Sequence, residues 1–183
     1  MKKLIKVLLN WCKLFTLNTF YNNKISNTSV VHSTSMLNLV NVGGYTYIGP
    51  NAVINNTQIG NYCSIAPNVV IGGMEHDYTN FSTSTNLCDY KRLSPTYISD
   101  DVWIGAGVYV RAGVKLGKGC IIGSNSTVLS DVPDLAIVVG SPAKVLKFRF
   151  EGNAMEENYF EIDFSRSPKY IKQRYERFKL NTY

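Results

Sequence analysis

The stretch ISDDVWIGAGVYVRAGVKLGKGCIIGSNSTV, residues 98–128, carries an aliphatic residue at Ile98, Ile104, Val110, Leu116, Ile122 and Val128. The interval is six at every step, and small or β-branched residues stand four positions after each aliphatic, at Val102, Val108, Val114, Cys120, Ser126 and Val132. Glycine follows the aliphatic at Gly105, Gly117 and Gly123. Period six is neither the 3.6 of a helix nor the simple alternation of one strand. A stacked repeat generates it: each hexad is a short strand plus a corner, and the aliphatic residue points inward onto its equivalents in neighbouring coils. Glycine beside it is expected to supply the unusual backbone angles of the corner.

The same grammar appears earlier, at Ile48-Gly49, Ile54, Ile59-Gly60, Ile65-Ala66 and Ile71-Gly72. The step from Ile54 to Ile59 is five, so one corner there is irregular. Between Gly73 and Tyr97 the repeat stops, in a segment rich in Asn, Ser and Thr. A structureless excursion of this length in a repeat protein is usually functional or disordered. At its mouth stand Met74-Glu75-His76-Asp77-Tyr78.

The hexads, together with Asp101-Val102-Trp103-Ile104-Gly105-Ala106 and Val138-Val139-Gly140-Ser141-Pro142-Ala143-Lys144, resemble the hexapeptide-repeat acyltransferases, and among them the xenobiotic and polysaccharide O-acetyltransferase branch. The resemblance covers roughly residues 40 to 150. It implies a mainly β fold, a left-handed parallel β-helix of hexapeptide repeats with a long inserted loop and helical terminal segments. It also implies acetyl-CoA as co-substrate, no metal, and a homotrimer. The handedness comes from the resemblance alone, since the general preference for right-handed crossovers points the other way. Three regions are expected: an N-terminal helical or capping segment at 1–29, the β-helix at 30–145 with its inserted loop at 73–97, and a C-terminal segment with a basic helix at 146–183.

The resemblance also assigns roles. His76, at the start of the loop and roughly thirty residues before Trp103-Ile104-Gly105-Ala106, matches the position of the family's catalytic histidine. Acetyl transfer from a thioester to a hydroxyl needs a base for the hydroxyl proton, and neutral imidazole suits that task near neutral pH. The thioester is already activated, so direct transfer in a ternary complex is expected. The backbone N–H of Ala106 is the implied oxyanion donor, with the small side chain leaving room for the pantetheine arm. Ser124 lies 18 residues later and should occupy the equivalent place one coil on. Leu129, Ser130 and Lys147 match positions that hold the distal end of coenzyme A in related enzymes, and a lysine near a phosphate is chemically sensible. Tyr78, Asp89, Tyr90 and Trp103 are candidate acceptor contacts, Trp103 as a wall of the pocket at the subunit interface. Glu75 and Asp77 flank the histidine, but adjacent side chains on extended backbone diverge, so a loop carbonyl is at least as good a partner for its second nitrogen.

Beyond Phe150 the pattern changes. Ser167-Pro168 supplies an N-cap and a proline at the first helical position, and Ile171, Tyr175 and Phe178 share one helical face among basic residues. At the other end Leu4, Leu8, Trp11 and Phe15 share a face, read as a cap of the solenoid, with peripheral membrane contact as the alternative. The xenobiotic branch often carries a tryptophan-rich terminal helix and a Tyr-Pro-Phe loop signature. Here no Trp follows Trp103 and the signature is missing, which weakens the antibiotic acceptor.

Composition sets the outer limits. The 183 residues are 45% hydrophobic, which suits one packed domain and excludes disorder over most of the length. Nineteen Lys plus Arg against 13 Asp plus Glu give +6, yet only 17% of residues are charged, against about 25% in typical soluble domains. The basic surplus favours anionic partners such as coenzyme A phosphates; no nucleic acid is expected. The four cysteines, Cys12, Cys63, Cys88 and Cys120, form no CxxC pair, which reads as free thiols in a cytoplasmic protein. Met1 to Phe15 superficially imitates a signal peptide, but Asn10 and Lys13 interrupt it, and no apolar run is long enough for a bilayer.

The expected function is therefore O-acetylation of a sugar hydroxyl in surface polysaccharide biosynthesis, on a small-molecule or glycan acceptor. Antibiotic O-acetylation and N-acetylation of a nucleotide-linked amino sugar are the enzymatic alternatives, and a structural β-helix scaffold is the non-enzymatic one. A zinc hydratase on this fold needs three histidines, and the chain has only His32 and His76.

Overall fold

A computed structural model describes residues 21–73, 75–88, 94–150 and 154–181. The N-terminal amphipathic stretch, Cys12, Asp89 and Tyr90 fall outside these residues.

The hexads build a three-sided parallel β-helix. One face stacks β1 (Lys24–Ile25), the second halves of β3 (Met36–Val42) and β5 (Val53–Ile59), β8 (Thr96–Ile98) and β11 (Lys115–Leu116). The second stacks β2 (Val30–Val31), β4 (Tyr47–Ile48), β6 (Ser64–Ile65), β9 (Trp103–Ile104), β12 (Ile121–Ile122) and β14 (Ala136–Gly140). The third stacks the first halves of β3 and β5 with β7 (Val70–Ile71), β10 (Tyr109–Val110) and β13 (Thr127–Val128). All these pairings are parallel, and the architecture is the left-handed β-helix implied by the resemblance.

Every aliphatic of the periodic tract from Ile98 to Val128 is buried, as are the residues four positions later. Ile48, Ile54, Ile65, Ile71, Ile104 and Ile122 are fully enclosed. Each such side chain contributes about 1.5–3 kcal/mol relative to an exposed one. The small residues that are polar are satisfied by the backbone: the hydroxyls of Ser29, Ser35 and Thr46 donate to the carbonyls of Gly43, Gly49 and Gly60 at 2.6, 2.7 and 2.9 Å.

The period runs further back than the expected boundary at residue 30, because Ile25, Val31, Leu37 and Val42 are already inner residues. Ile25 pairs with Val42, 17 residues on, whereas Ile98 pairs with Leu116, 18 on. The missing residue lies at one corner. There β3 and β5 bend without a turn, at Leu39 (φ 57°) and Asn56 (φ 42°), and carry Val40 and Thr57 inside.

The expected role of glycine needs correction. Gly105, Gly117 and Gly123 do not have positive φ; that conformation falls two residues later in each case, at Gly107, Gly119 and Asn125. What Gly105 provides is close approach: a Cβ there would stand 2.6 Å from the Ser124 nitrogen and 2.7 Å from its hydroxyl.

The C-terminal segment departs from the stack. β15 (Ala143–Phe148) returns antiparallel along β14, then α1 (Ala154–Phe160) and α2 (Pro168–Asn181) follow. The helix expected after Ser167 is α2, and Ile171 donates to the Ser167 carbonyl at 3.1 Å. Ile171 packs against a small second core of Leu135, Tyr159 and Phe164, whereas Tyr175 stays 40% exposed; the Phe178 side chain is outside the described residues. This core is braced at Asp101, whose Oδ2 accepts from Tyr159 Oη at 2.7 Å and Arg149 Nη1 at 2.9 Å. Burial, then the Asp101 charge, pushes the Tyr159 phenol well above its usual range. Burial likewise pushes the Cys63 and Cys120 thiols up to about 12. No described helix is long and apolar enough to cross a membrane.

Candidate active site

The loop opens at the same corner where β3 and β5 bend. Gly72 has φ +67°, and a Cβ there would collide with the Asn55 carbonyl oxygen of the preceding coil, so the departure point accepts glycine alone. The chain returns at Thr96 in unbroken register, with Thr57 opposite Thr96 and Ile59 opposite Ile98.

Within the loop, His76 Nδ1 donates to the Thr83 carbonyl oxygen at 2.5 Å. A carbonyl only accepts, so Nδ1 carries the proton and Nε2 keeps its lone pair in the neutral ring. Asp77 turns away into a local turn, accepting from the Thr79 nitrogen at 3.0 Å and the Thr79 hydroxyl at 2.6 Å. A loop carbonyl is therefore an orienting partner of the histidine. Tyr78 is 80% exposed, and so, at 86%, is Phe81, which the sequence reading passed over. Asp89 and Tyr90 lie outside the described residues.

The coenzyme candidates divide between two edges of the prism. Ala106 and Ser124 share the edge between the second and third faces, and the Asn125 nitrogen donates to the Ala106 carbonyl at 2.8 Å. The N–H groups of Gly105 and Gly107 are consumed by Ile122 and Pro67 carbonyls, whereas that of Ala106 enters no backbone bond of the coil. Trp103 is 53% exposed on the second face. In register with it, outward, run Ile121, Ile137 and Lys147. Three strand spacings separate Trp103 from Lys147, roughly 14 Å. Leu129 and Ser130 follow β13 and so lie at the edge between the third face and the first, the same edge that launches the loop with His76. One hexad, about 20 Å of extended chain, separates that edge from Ala106. In one chain the edge that launches the His76 loop and the edge that carries Ala106 thus do not coincide.

The second histidine, His32, bonds through Nδ1 to the Thr34 hydroxyl at 3.1 Å. Among the described residues no cluster of three or more His, Cys, Asp or Glu is arranged to hold a metal. Of the residues missed by sequence reasoning, Thr83 acts through its backbone and has no side-chain signature. Phe81 was findable as an aromatic in an otherwise polar loop.

Known proteins resemble this chain in sequence and in fold. The bacterial transferase hexapeptide (six repeats) family model matches residues 40–73 and 95–130, the two tracts that flank the loop. A chloramphenicol acetyltransferase of Morganella morganii is 46% identical over 67 residues, 37% of this chain and 32% of that protein. The chain thus aligns with about a third of the length of such curated relatives. A hexapeptide-repeat acetyltransferase of Vibrio cholerae, solved with acetyl-coenzyme A, superposes with a TM-score of 0.65 at 26% identity, covering 76% of this chain and 78% of that one. A maltose O-acetyltransferase of Clostridium difficile superposes with a TM-score of 0.62 at 24% identity, covering 77% and 82%.

Proposed function

We propose, from the premise that this chain is a hexapeptide-repeat protein with the β-helix of the bacterial transferases, that it transfers an acetyl group from acetyl-CoA to a hydroxyl of a sugar, in the making of a surface polysaccharide. The observation that carries the reading is the bond from His76 Nδ1 to the Thr83 carbonyl, because it leaves Nε2 as a base in a loop with a polar rim. The acceptor oxygen attacks the thioester carbonyl while Nε2 takes its proton. The tetrahedral oxyanion is met by the Ala106 N–H, and its collapse expels the coenzyme thiolate, which recovers the proton from the imidazolium. General-base help is worth about 10²- to 10⁴-fold, and one oxyanion donor about 10²- to 10³-fold.

The reading requires more than one copy of the chain. The base and the acyl edge lie apart in one chain, so a homotrimer that sets the His76 edge of one copy against the Ala106 edge of another completes the site. The outward column Val30, Tyr47, Ser64, Trp103 and Ile121 on the second face supports this, being, Ser64 apart, apolar surface that a partner would cover. Lys147 then reaches the phosphates of the coenzyme, and Leu129 and Ser130 contribute from the loop edge. The regions proposed for the chain are the N-terminal segment, the β-helix with its loop, and the C-terminal segment; the protein acts in the cytoplasm.

A second reading, O-acetylation of an antibiotic, is favoured by the relative named a chloramphenicol acetyltransferase. Acetyl-CoA turnover over a panel of sugars, nucleotide-linked amino sugars and hydroxylated antibiotics tests both. Turnover of sugars that His76→Ala abolishes supports the first reading, activity with antibiotics alone supports the second, and no coenzyme A binding leaves only a scaffold.

A further inference from the structure

We propose that Tyr109 is an acceptor-binding residue, whose hydroxyl holds a second hydroxyl of the sugar beside the one that is acetylated; this rests on the function proposed above. Tyr109 points outward from β10 on the third face, between Val70 and Thr127 in register. Its hydroxyl lies 3.4 Å, and a ring carbon 3.5 Å, from the point that a Cβ on Gly73 would occupy. The ring therefore lies against the mouth of the loop, and His76 follows Gly73 by three residues, at most about 10 Å of chain. The phenol is thus held on a rigid strand at the mouth of the loop that carries His76.

The hydroxyls around it are engaged differently. One rung along, the Thr127 hydroxyl accepts from Ser141 Oγ at 2.8 Å. The Tyr109 hydroxyl has no hydrogen-bond partner among the described residues, although a tyrosine hydroxyl in a half-buried place usually finds one. A phenol without a partner among the described residues, fixed by a strand at the mouth of the loop, suits a ligand that brings several hydroxyls of its own. A tyrosine also gives a sugar ring a flat apolar surface. Sugars carry such neighbouring hydroxyls around the whole ring, and removal of the phenol oxygen should therefore be felt by the acceptor and not by the coenzyme.

The test uses the full chain, acetyl-CoA and the best-accepted sugar of the panel, with its monodeoxy analogues. Tyr109→Phe keeps the ring and its packing, and is expected to raise the acceptor KM about 10-fold, the worth of one neutral hydrogen bond, while the acetyl-CoA KM and the melting temperature hold. One deoxy analogue should lose about as much with the native chain, and the two losses should not add, since both delete the same bond. An unchanged acceptor KM, an equal rise in the acetyl-CoA KM, or additive losses with every analogue would each overturn the assignment. If the native chain acetylates no sugar at all, the function reading fails and this one falls with it; if it does so and Tyr109→Phe matches it, only the present inference fails.

Discussion

Three successive coils meet the same corner in two ways. At Ile54-Asn55-Asn56-Thr57 the chain turns inside a continuous strand, while at Ile71-Gly72-Gly73 it departs and comes back only at Thr96, in the register it would have had without leaving. The stack is thus indifferent to what is inserted, because each rung needs only its neighbours above and below. A long closed loop adds little entropic cost beyond a short one. The corner is therefore free to carry chemistry, while the rungs carry the stability.

The largest expected effect removes the loop outright. Excision of residues 74–95 rejoins Ile71-Gly72-Gly73-Thr96 at the spacing of Ile54-Asn55-Asn56-Thr57. Acetyl transfer should vanish while circular dichroism and the melting temperature stay near those of the native chain; an unfolded product would show that the loop is part of the stack. His76→Ala is the finer version, with kcat/KM down about 10²- to 10⁴-fold and stability unchanged. A rung substitution should do the opposite: Ile104→Ala is expected to cost about 2–5 kcal/mol in chemical denaturation, and Ile71→Ala, the last rung before the loop, should cost as much.

Smaller effects test the boundary between rungs and decoration. Cys63 and Cys120 keep their protons to about 12 in the fold, against 9.0 for an unperturbed thiol. The folded form binds more protons than the unfolded one in that window, so stability is full below 9 and falls as the pH rises toward 12. Denaturation midpoints at pH 7, 9 and 10.5 would read this, and replacing both cysteines by alanine should flatten the dependence. Tyr159→Phe, which removes one of two donors to Asp101, is expected to cost about 1 kcal/mol, and should loosen the C-terminal helices with little change in the coils by hydrogen exchange.

The coils from Ile48 onward were legible because the inner residues are large, aliphatic and evenly spaced. The first coil was harder to read: Ile25, Val31 and Leu37 keep the period, but no glycine accompanies them, and the shortened corner shifts the phase at Val42. Gly105, Gly117 and Gly123 were found by pattern and misread by mechanism, whereas Gly72 does have positive φ; a sequence does not distinguish a residue that needs unusual angles from one pressed against the next coil. In the site, His76 was visible as a side chain of the right type at the mouth of an interruption. A loop carbonyl was expected as a partner, but which one was not legible, because a carbonyl belongs to every residue alike. The separation of Ala106 from Leu129 on different edges follows from counting, since the four hexads from Ile104 to Val128 make one coil and one further face. The antiparallel course of β15 had no signal, as Ala143–Phe148 alternates too weakly to announce its direction.

That hairpin has a further consequence. A stack of parallel rungs ends, by construction, in a row of unpaired backbone donors and acceptors that invites another molecule to continue it. β15 occupies that row on the second face by running backward along β14, with a register irregularity between Ile137 and Val138. An antiparallel, kinked ribbon offers the wrong template for a further parallel coil. A further parallel coil is thereby disfavoured on that face, and a chain cut before Ala143 is expected to be the variant that adds one there.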